Sequence, residues 1–154
     1  MTDLVGSTEL RVRVGEEAAD EFRRVHDHLL ADTVDQCGGF VIKGLGDGIL
    51  ASFPSAADAL SAAVAIQQAV DTYSRRLSES HEVRIGVSGG DVTVEDDDIF
   101  GIPVVEAAGL CSAASGRQIL VADLVKAMAR GRGNHWFVSV GSFDLKGLDE
   151  PLDA

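Results

Sequence analysis

The chain has 154 residues, 45% of them hydrophobic and 25% charged, which suits one domain with one core and excludes a disordered tail, a collagen repeat and a coiled coil. Its formal net charge of −12, from 13 Lys and Arg against 25 Asp and Glu, argues against sequence-independent nucleic-acid binding, which needs cations to neutralise phosphates. Cys37 and Cys111 are the only cysteines and no window reaches the ~18 apolar residues of a membrane span, so neither a disulfide scaffold nor membrane contact is expected, and the compartment expected is the cytoplasm.

Met1 to Val5 reads as a short strand, followed by Gly6-Ser7-Thr8-Glu9, a strand-to-helix turn with N-cap chemistry. Helical spacing continues through Phe22, Val25, Leu29, Leu30 and Val34 until Gly38-Gly39 stops it. Phe40-Val41-Ile42 and Ile49 to Phe53 read as strands joined by the Gly-rich hairpin connection Lys43-Gly44-Leu45-Gly46-Asp47-Gly48. An Ala-rich helix from about Ala56 to Leu77 carries two adjacent apolar stripes, so much of it should be buried.

Val83 to Val87 is a strand, and Val92 to Val94 another extended piece before the acidic run Glu95-Asp96-Asp97-Asp98. Ile102 to about Ala114 reads as a helix with Pro103 in its first turn, where proline is tolerated. Gln118 to Val121 is a strand, Asp123 to Ala129 a short helix, and Trp136 to Val140 and Phe143 to Leu145 are closing strands. The interleaving of strands and helices, without repeats or low-complexity linkers, predicts one α/β sandwich of sheet and helices.

Asp3 and Asp47 each fall at a strand end beside a glycine-rich turn. Asp is common in turns, and two such carboxylates on neighbouring strands could also bind one or two hard cations such as Mg²⁺. Gly6-Ser7-Thr8 offers backbone N–H groups at a helix N-terminus, a place where phosphate binds readily. Only three of the cations are lysines, Lys43, Lys126 and Lys146. Taken singly, Lys43 reads as a snorkelling strand-end lysine, Asp98 as a solvated loop charge and Lys146 as a surface lysine.

Together they form a pattern. Thr2-Asp3-Leu4-Val5-Gly6-Ser7-Thr8, Ile42-Lys43-Gly44-Leu45-Gly46-Asp47-Gly48, Asp98-Ile99-Phe100-Gly101 and Leu145-Lys146-Gly147, in this order and at these intervals, resemble the class III nucleotidyl cyclase catalytic domain of bacterial type. The resemblance covers nearly the whole chain. It implies an α+β fold, a ferredoxin-like sheet with flanking helices, with residues 1–154 as a single catalytic domain excised from a longer protein.

It also implies a reaction in which a nucleoside triphosphate becomes a 3′,5′-cyclic nucleotide and pyrophosphate. By resemblance, Asp3, Asp47 and the Leu4 carbonyl hold two divalent cations, Mg²⁺ or Mn²⁺. Backbone amides of Val5, Gly6, Ser7 and Thr8 cradle phosphate, and Lys146 adds a point charge there. Lys43 and Asp98 match the family's base-reading positions. A Lys donor and an Asp acceptor complement N1 and N6 of adenine, whereas guanine would leave two mismatches at about 1–3 kcal/mol each, so ATP is the expected substrate. Active members of the family are head-to-tail dimers in which the metal aspartates come from one domain and the base-reading residues and Lys146 from its partner, so a homodimer is expected.

Two departures stand against that pattern. The helix after Asp98 carries Val105 and Gly109 where the family has an Asn and an Arg that stabilise the transition state, and such a loss often costs about 10²–10³-fold in rate. Ser88 stands where many relatives have a His. A degenerate cyclase homology domain that binds nucleotide and regulates by dimerising is therefore the alternative reading.

Overall fold

The computed structural model describes residues 1–77 and 81–154. Strand β1 (Thr2–Val5) runs antiparallel to β4 (Glu82–Val87), and β4 runs parallel to β7 (Ile119–Val121), giving the order β1-β4-β7. The hairpin of β2 (Phe40–Gly44) and β3 (Ile49–Ser52) forms a separate two-stranded sheet beside β1. There the Leu4 N–H donates to the Asp47 carbonyl at 2.9 Å and the Ile49 N–H to the Thr2 hydroxyl at 3.0 Å. The three-stranded sheet β1-β4-β7 with the β2-β3 hairpin beside it and helices against it gives the mixed α/β fold expected from the sequence.

Alternation along β1 and β4 separates the two faces. Val83, Ile85 and Val87 enter the main core with Leu30 and Val34 of α2 (Glu16–Gln36) and with Leu60, Ala63, Ile66 and Val70 of α3 (Ala56–Leu77). Leu4 pairs with Val83 and Thr2 with Ile85 in register, and both are buried. Asp3 and its register partner Arg84 consequently take the opposite face.

That opposite face receives α4 (Ile102–Ala113), whose backbone lies directly on Gly86. A Cβ at Gly86 would collide with the Ala107 carbonyl and the Cys111 amide, so only glycine permits this approach. Leu110 and Ala114 join Leu120 and Ala122 in a second, smaller core, covered by Phe143, Leu145 and Leu152. A second hairpin, β5 (Thr93–Glu95) with β6 (Asp98–Phe100), projects before α4. The chain closes with α5 (Asp123–Met128) and the short pair β8 (Ser142–Phe143) and β9 (Leu152–Asp153).

Five sequence expectations need correction. The helical run after β1 is two helices, α1 (Ser7–Val14) and α2, separated at Gly15, whose φ of 86° and ψ of 168° lie in a region open essentially to glycine alone. Neither Ser7 nor Thr8 caps α1: its N-cap is Gly6, in the left-handed region, with no side-chain cap bond. Asp98 is the first residue of β6 and not a solvated loop charge. Trp136 to Val140 forms no strand: Trp136 is 97% exposed, and the Val140 N–H donates to the Ala154 carbonyl instead of joining a ladder. Val and Trp favour strands only where a partner edge is offered, and the other predicted closing strand shrinks to Ser142–Phe143.

Candidate active site

The first cluster sits where β1 leaves the sheet. Asp3 and Asp47 lie on adjacent chain segments, tied by the Leu4 to Asp47 backbone bond. Gly48 makes this closeness possible, because any Cβ there would strike the Thr2 carbonyl. Arg84 grips Asp3 with Nε at 2.7 Å and Nη2 at 2.6 Å, both on Oδ2, while its Nη1 donates to the Ser112 carbonyl of α4 at 2.9 Å. Ser7 Oγ donates to Asp47 Oδ2 at 2.6 Å. Oδ1 of Asp3 and Oδ1 of Asp47 accept no hydrogen bond from the described residues.

Two half-exposed carboxylates, each held by one oxygen with the other turned free, are hard oxygen donors of the kind Mg²⁺ and Mn²⁺ accept. The donor set therefore fits a divalent cation. Arg84 acts as the positive partner of Asp3 in the structure as it stands. At the N-terminus of α1 the first ladder bond is Leu10 N–H to Gly6 carbonyl at 2.9 Å, so the amides of Ser7 and Thr8 precede the ladder. Val5 is exposed at the strand end, and the turn at Gly6 has a φ of 72°.

The second cluster joins two hairpins. Lys43 Nζ donates to Asp98 Oδ2, and Asp98 Oδ1 accepts the Ile99 N–H at 2.8 Å. The register of β2 against β3 shifts between Val41 and Lys43, an irregularity of the kind often found next to functional sites. The Lys43 ammonium also lies 5.9 Å from the centroid of the Phe100 ring. The Lys43 hydrogen bond first, and the Ile99 N–H second, hold the Asp98 carboxyl below its ordinary value.

Lys146 belongs to neither cluster. It is exposed on the loop after β8, beside α4, in a shallow groove with Val105, Ala108 and Gly109. Gly109 is where Leu145 packs: a Cβ there would lie 2.8 Å from Leu145 Cδ1. Val105 Cγ1 stands 3.3 Å from the place a Gly147 Cβ would occupy. The face of α4 that departs from the family pattern thus borders the chain's own closing loop. Ser88 donates to the Glu106 carboxylate on the same helix.

Arg84, Ser7 as partner of Asp47, and the Ser88–Glu106 pair were not singled out from sequence. Arg84 had a legible signal: an arginine inside the apolar strand Val83 to Val87 must be met by an acid or by solvent.

No family model matches the chain. Its sequence is 36% identical over 116 residues, 74% of the chain, to putative adenylate cyclase 3 of Rhizobium meliloti, and 34% identical over 119 residues, 77% of the chain, to the adenylate cyclase of Streptomyces coelicolor. The matched regions are 20% and 30% of those two proteins, so the chain spans less than a third of either. The crystal structure of an adenylate/guanylate cyclase/hydrolase from Silicibacter pomeroyi superposes with a TM-score of 0.85 at 32% identity, covering 99% of this chain and 90% of that one. This chain belongs to the class III adenylate/guanylate cyclase family.

Proposed function

We propose that the domain is an adenylate cyclase, converting ATP to 3′,5′-cyclic AMP and pyrophosphate by in-line attack of the ribose 3′ hydroxyl on the α-phosphorus. The observation that carries the choice of base is the Lys43–Asp98 pair, a donor and an acceptor already held side by side. Adenine N1 accepts and its amino group donates, so the base can replace each partner's contact with the other. Guanine in the same orientation would set its N1–H against the lysine and its O6 against the carboxylate, two mismatches.

Asp3, Asp47 and the Leu4 carbonyl are the residues that would hold two divalent cations. Such ions, when bound, supply a lowered pKa for the attacking hydroxyl and charge neutralisation on the phosphates. Arg84 would then share Asp3 with a cation, bringing its guanidinium to the rim of the phosphate site. The Ser7 and Thr8 amides, with Val5 and Gly6 shaping the turn, would bind phosphate oxygens by hydrogen bonds that need no protein charge. Lys146 would add a cation from a second copy of the domain. That role fits its position apart from both clusters of its own protomer and makes a homodimer the active form.

The test is cyclic nucleotide formation from ATP or GTP with Mg²⁺ or Mn²⁺ across a range of protein concentrations. Cyclic AMP formed with a more-than-linear concentration dependence is expected. Metal-dependent ATP binding without product would favour the second reading, a nucleotide-binding regulatory domain. The observation behind that reading is the packing of Leu145 against Gly109, where the family's arginine would stand.

A further inference from the structure

Beside Asp47 lies a small space of about 20 Å³, bordered by Leu4, Ser7, Phe22, His26 and Asp47 among others. That is room for one water. His26 comes from the core face of α2, is 1% exposed, and has no hydrogen-bond partner on either ring nitrogen among the described residues. A neutral imidazole carries one N–H donor and one acceptor, and buried polar atoms of this kind are nearly always satisfied in folded proteins. Phe22 stacks on the ring at 5.9 Å with planes 17° apart, so its orientation is set by packing. Burial first of all pushes the His26 pKa below its ordinary value, with Asp27 and Asp47 opposing and His81 adding to the shift.

The other polar side chains bordering the space narrow what His26 can reach. Arg11 turns to Glu16 and Asp20, and Arg23 to Asp27. Ser7 spends its proton on Asp47 Oδ2. What remains is the Asp47 carboxylate as acceptor, with Ser7 Oγ as a further acceptor for a water in between.

We propose that His26 is a positioning residue for Asp47: its ring N–H donates to a single water in this space, and the water donates on to the Asp47 carboxylate, holding it in place opposite Asp3. The proposal rests on the reading of Asp47 as a metal ligand. An aliphatic side chain would fill the same part of the core without needing any partner, so a histidine here has a polar task. Groups that orient a metal-binding carboxylate typically change metal affinity about 10–100-fold when removed.

The experiment is Mn²⁺ binding to the nucleotide-free protein, measured by calorimetry alongside thermal melting, for the natural chain and four variants. His26→Phe is expected to weaken Mn²⁺ binding about tenfold or more, whereas His26→Gln, which keeps a donor and an acceptor, stays close to the natural chain. Val70→Ala, in the main core, lowers the melting temperature without changing affinity. A folded His26→Phe protein that binds Mn²⁺ as the natural chain does overturns the proposal while leaving the metal site standing. Loss of binding in Asp47→Ala is expected; if the natural chain binds no Mn²⁺, or Asp47→Ala binds it unchanged, the metal reading falls and this proposal with it. Should His26→Phe fail to fold, the ¹⁵N shifts of the His26 imidazole in the natural chain decide. Movement on adding Mg²⁺ supports the water-linked contact, and an unchanged imidazole overturns it.

Discussion

The two edges of α4 and β1 are built on opposite principles. Along β1 the polar side chains are kept and each is matched: Asp3 to Arg84, Asp47 to Ser7, and across the hairpins Lys43 to Asp98. Along α4 the contacts are made by removing side chains, with Gly86 admitting the helix backbone and Gly109 admitting Leu145. One edge keeps its polar side chains in matched pairs. The other gains packing where the family carries a charged group. The contrast teaches that polar pairing and close packing are carried by different elements, so a change at one edge need not disturb the other.

The largest effect expected is at the polar edge. Asp47→Ala should lower cyclic nucleotide formation by about a hundredfold or more, comparable to the loss of a fixed charge-stabilising group. Its melting temperature should stay near that of the natural chain, because Asp47 is only half-buried. Activity that survives this change would break the comparison outright. Next comes the packed edge: Val105→Asn and Gly109→Arg, combined with Leu145→Ala to clear the space, should raise turnover by about a hundredfold if a missing donor limits it. Unchanged turnover in a folded triple variant would show that α4 does not limit the rate.

A smaller effect is expected at the Lys43–Asp98 pair. Lys43→Glu with Asp98→Ala should shift the ratio of ATP to GTP rates by about tenfold or more, the scale of one mispaired buried polar group. An unaltered ratio would remove both residues from base recognition. For stability, Gly86→Ala should cost about 1–3 kcal/mol, because α4 must move off the sheet, and thermal melting would register it. Retained stability there would mean that the helix backbone can give way.

The smallest effect concerns pH. Asp98 ionises more readily in the folded chain than its ordinary 3.8, so its pairing with Lys43 stabilises in full above that value and is lost as pH falls through the lower folded value. Carboxyl titration by NMR should find the Asp98 midpoint depressed. Lys43→Met should return it toward the ordinary value, and a midpoint indifferent to Lys43 would contradict the pairing.

Most elements were legible because their signals are local. The Ala-rich stripes from Ala56 to Leu77 match α3 residue for residue, and Pro103 marks the first turn of α4. Gly15 was passed over because apolar periodicity resumes on its far side, so the spacing alone reads as one helix. Trp136 to Val140 carries strand composition, but pairing depends on which edge lies free, and that is decided elsewhere in the chain. The aspartates and lysines could be nominated from motif spacing, while their partners could not. Arg84 is 81 residues from Asp3, and Ser7 is 40 from Asp47.

By itself, then, the sequence determined the order and type of most elements, the acidic balance and the family pattern of Asp3, Lys43, Asp47, Asp98 and Lys146, because periodicity, turn chemistry and motif spacing act over a few residues. The tertiary structure alone decided that Asp3 and Arg84 share the α4 face, that Leu145 fills the room beside Gly109, and that His26 lies buried beside the space that Asp47 borders. Those facts depend on strand register and on how closely two backbones approach, quantities fixed only when distant segments pack together.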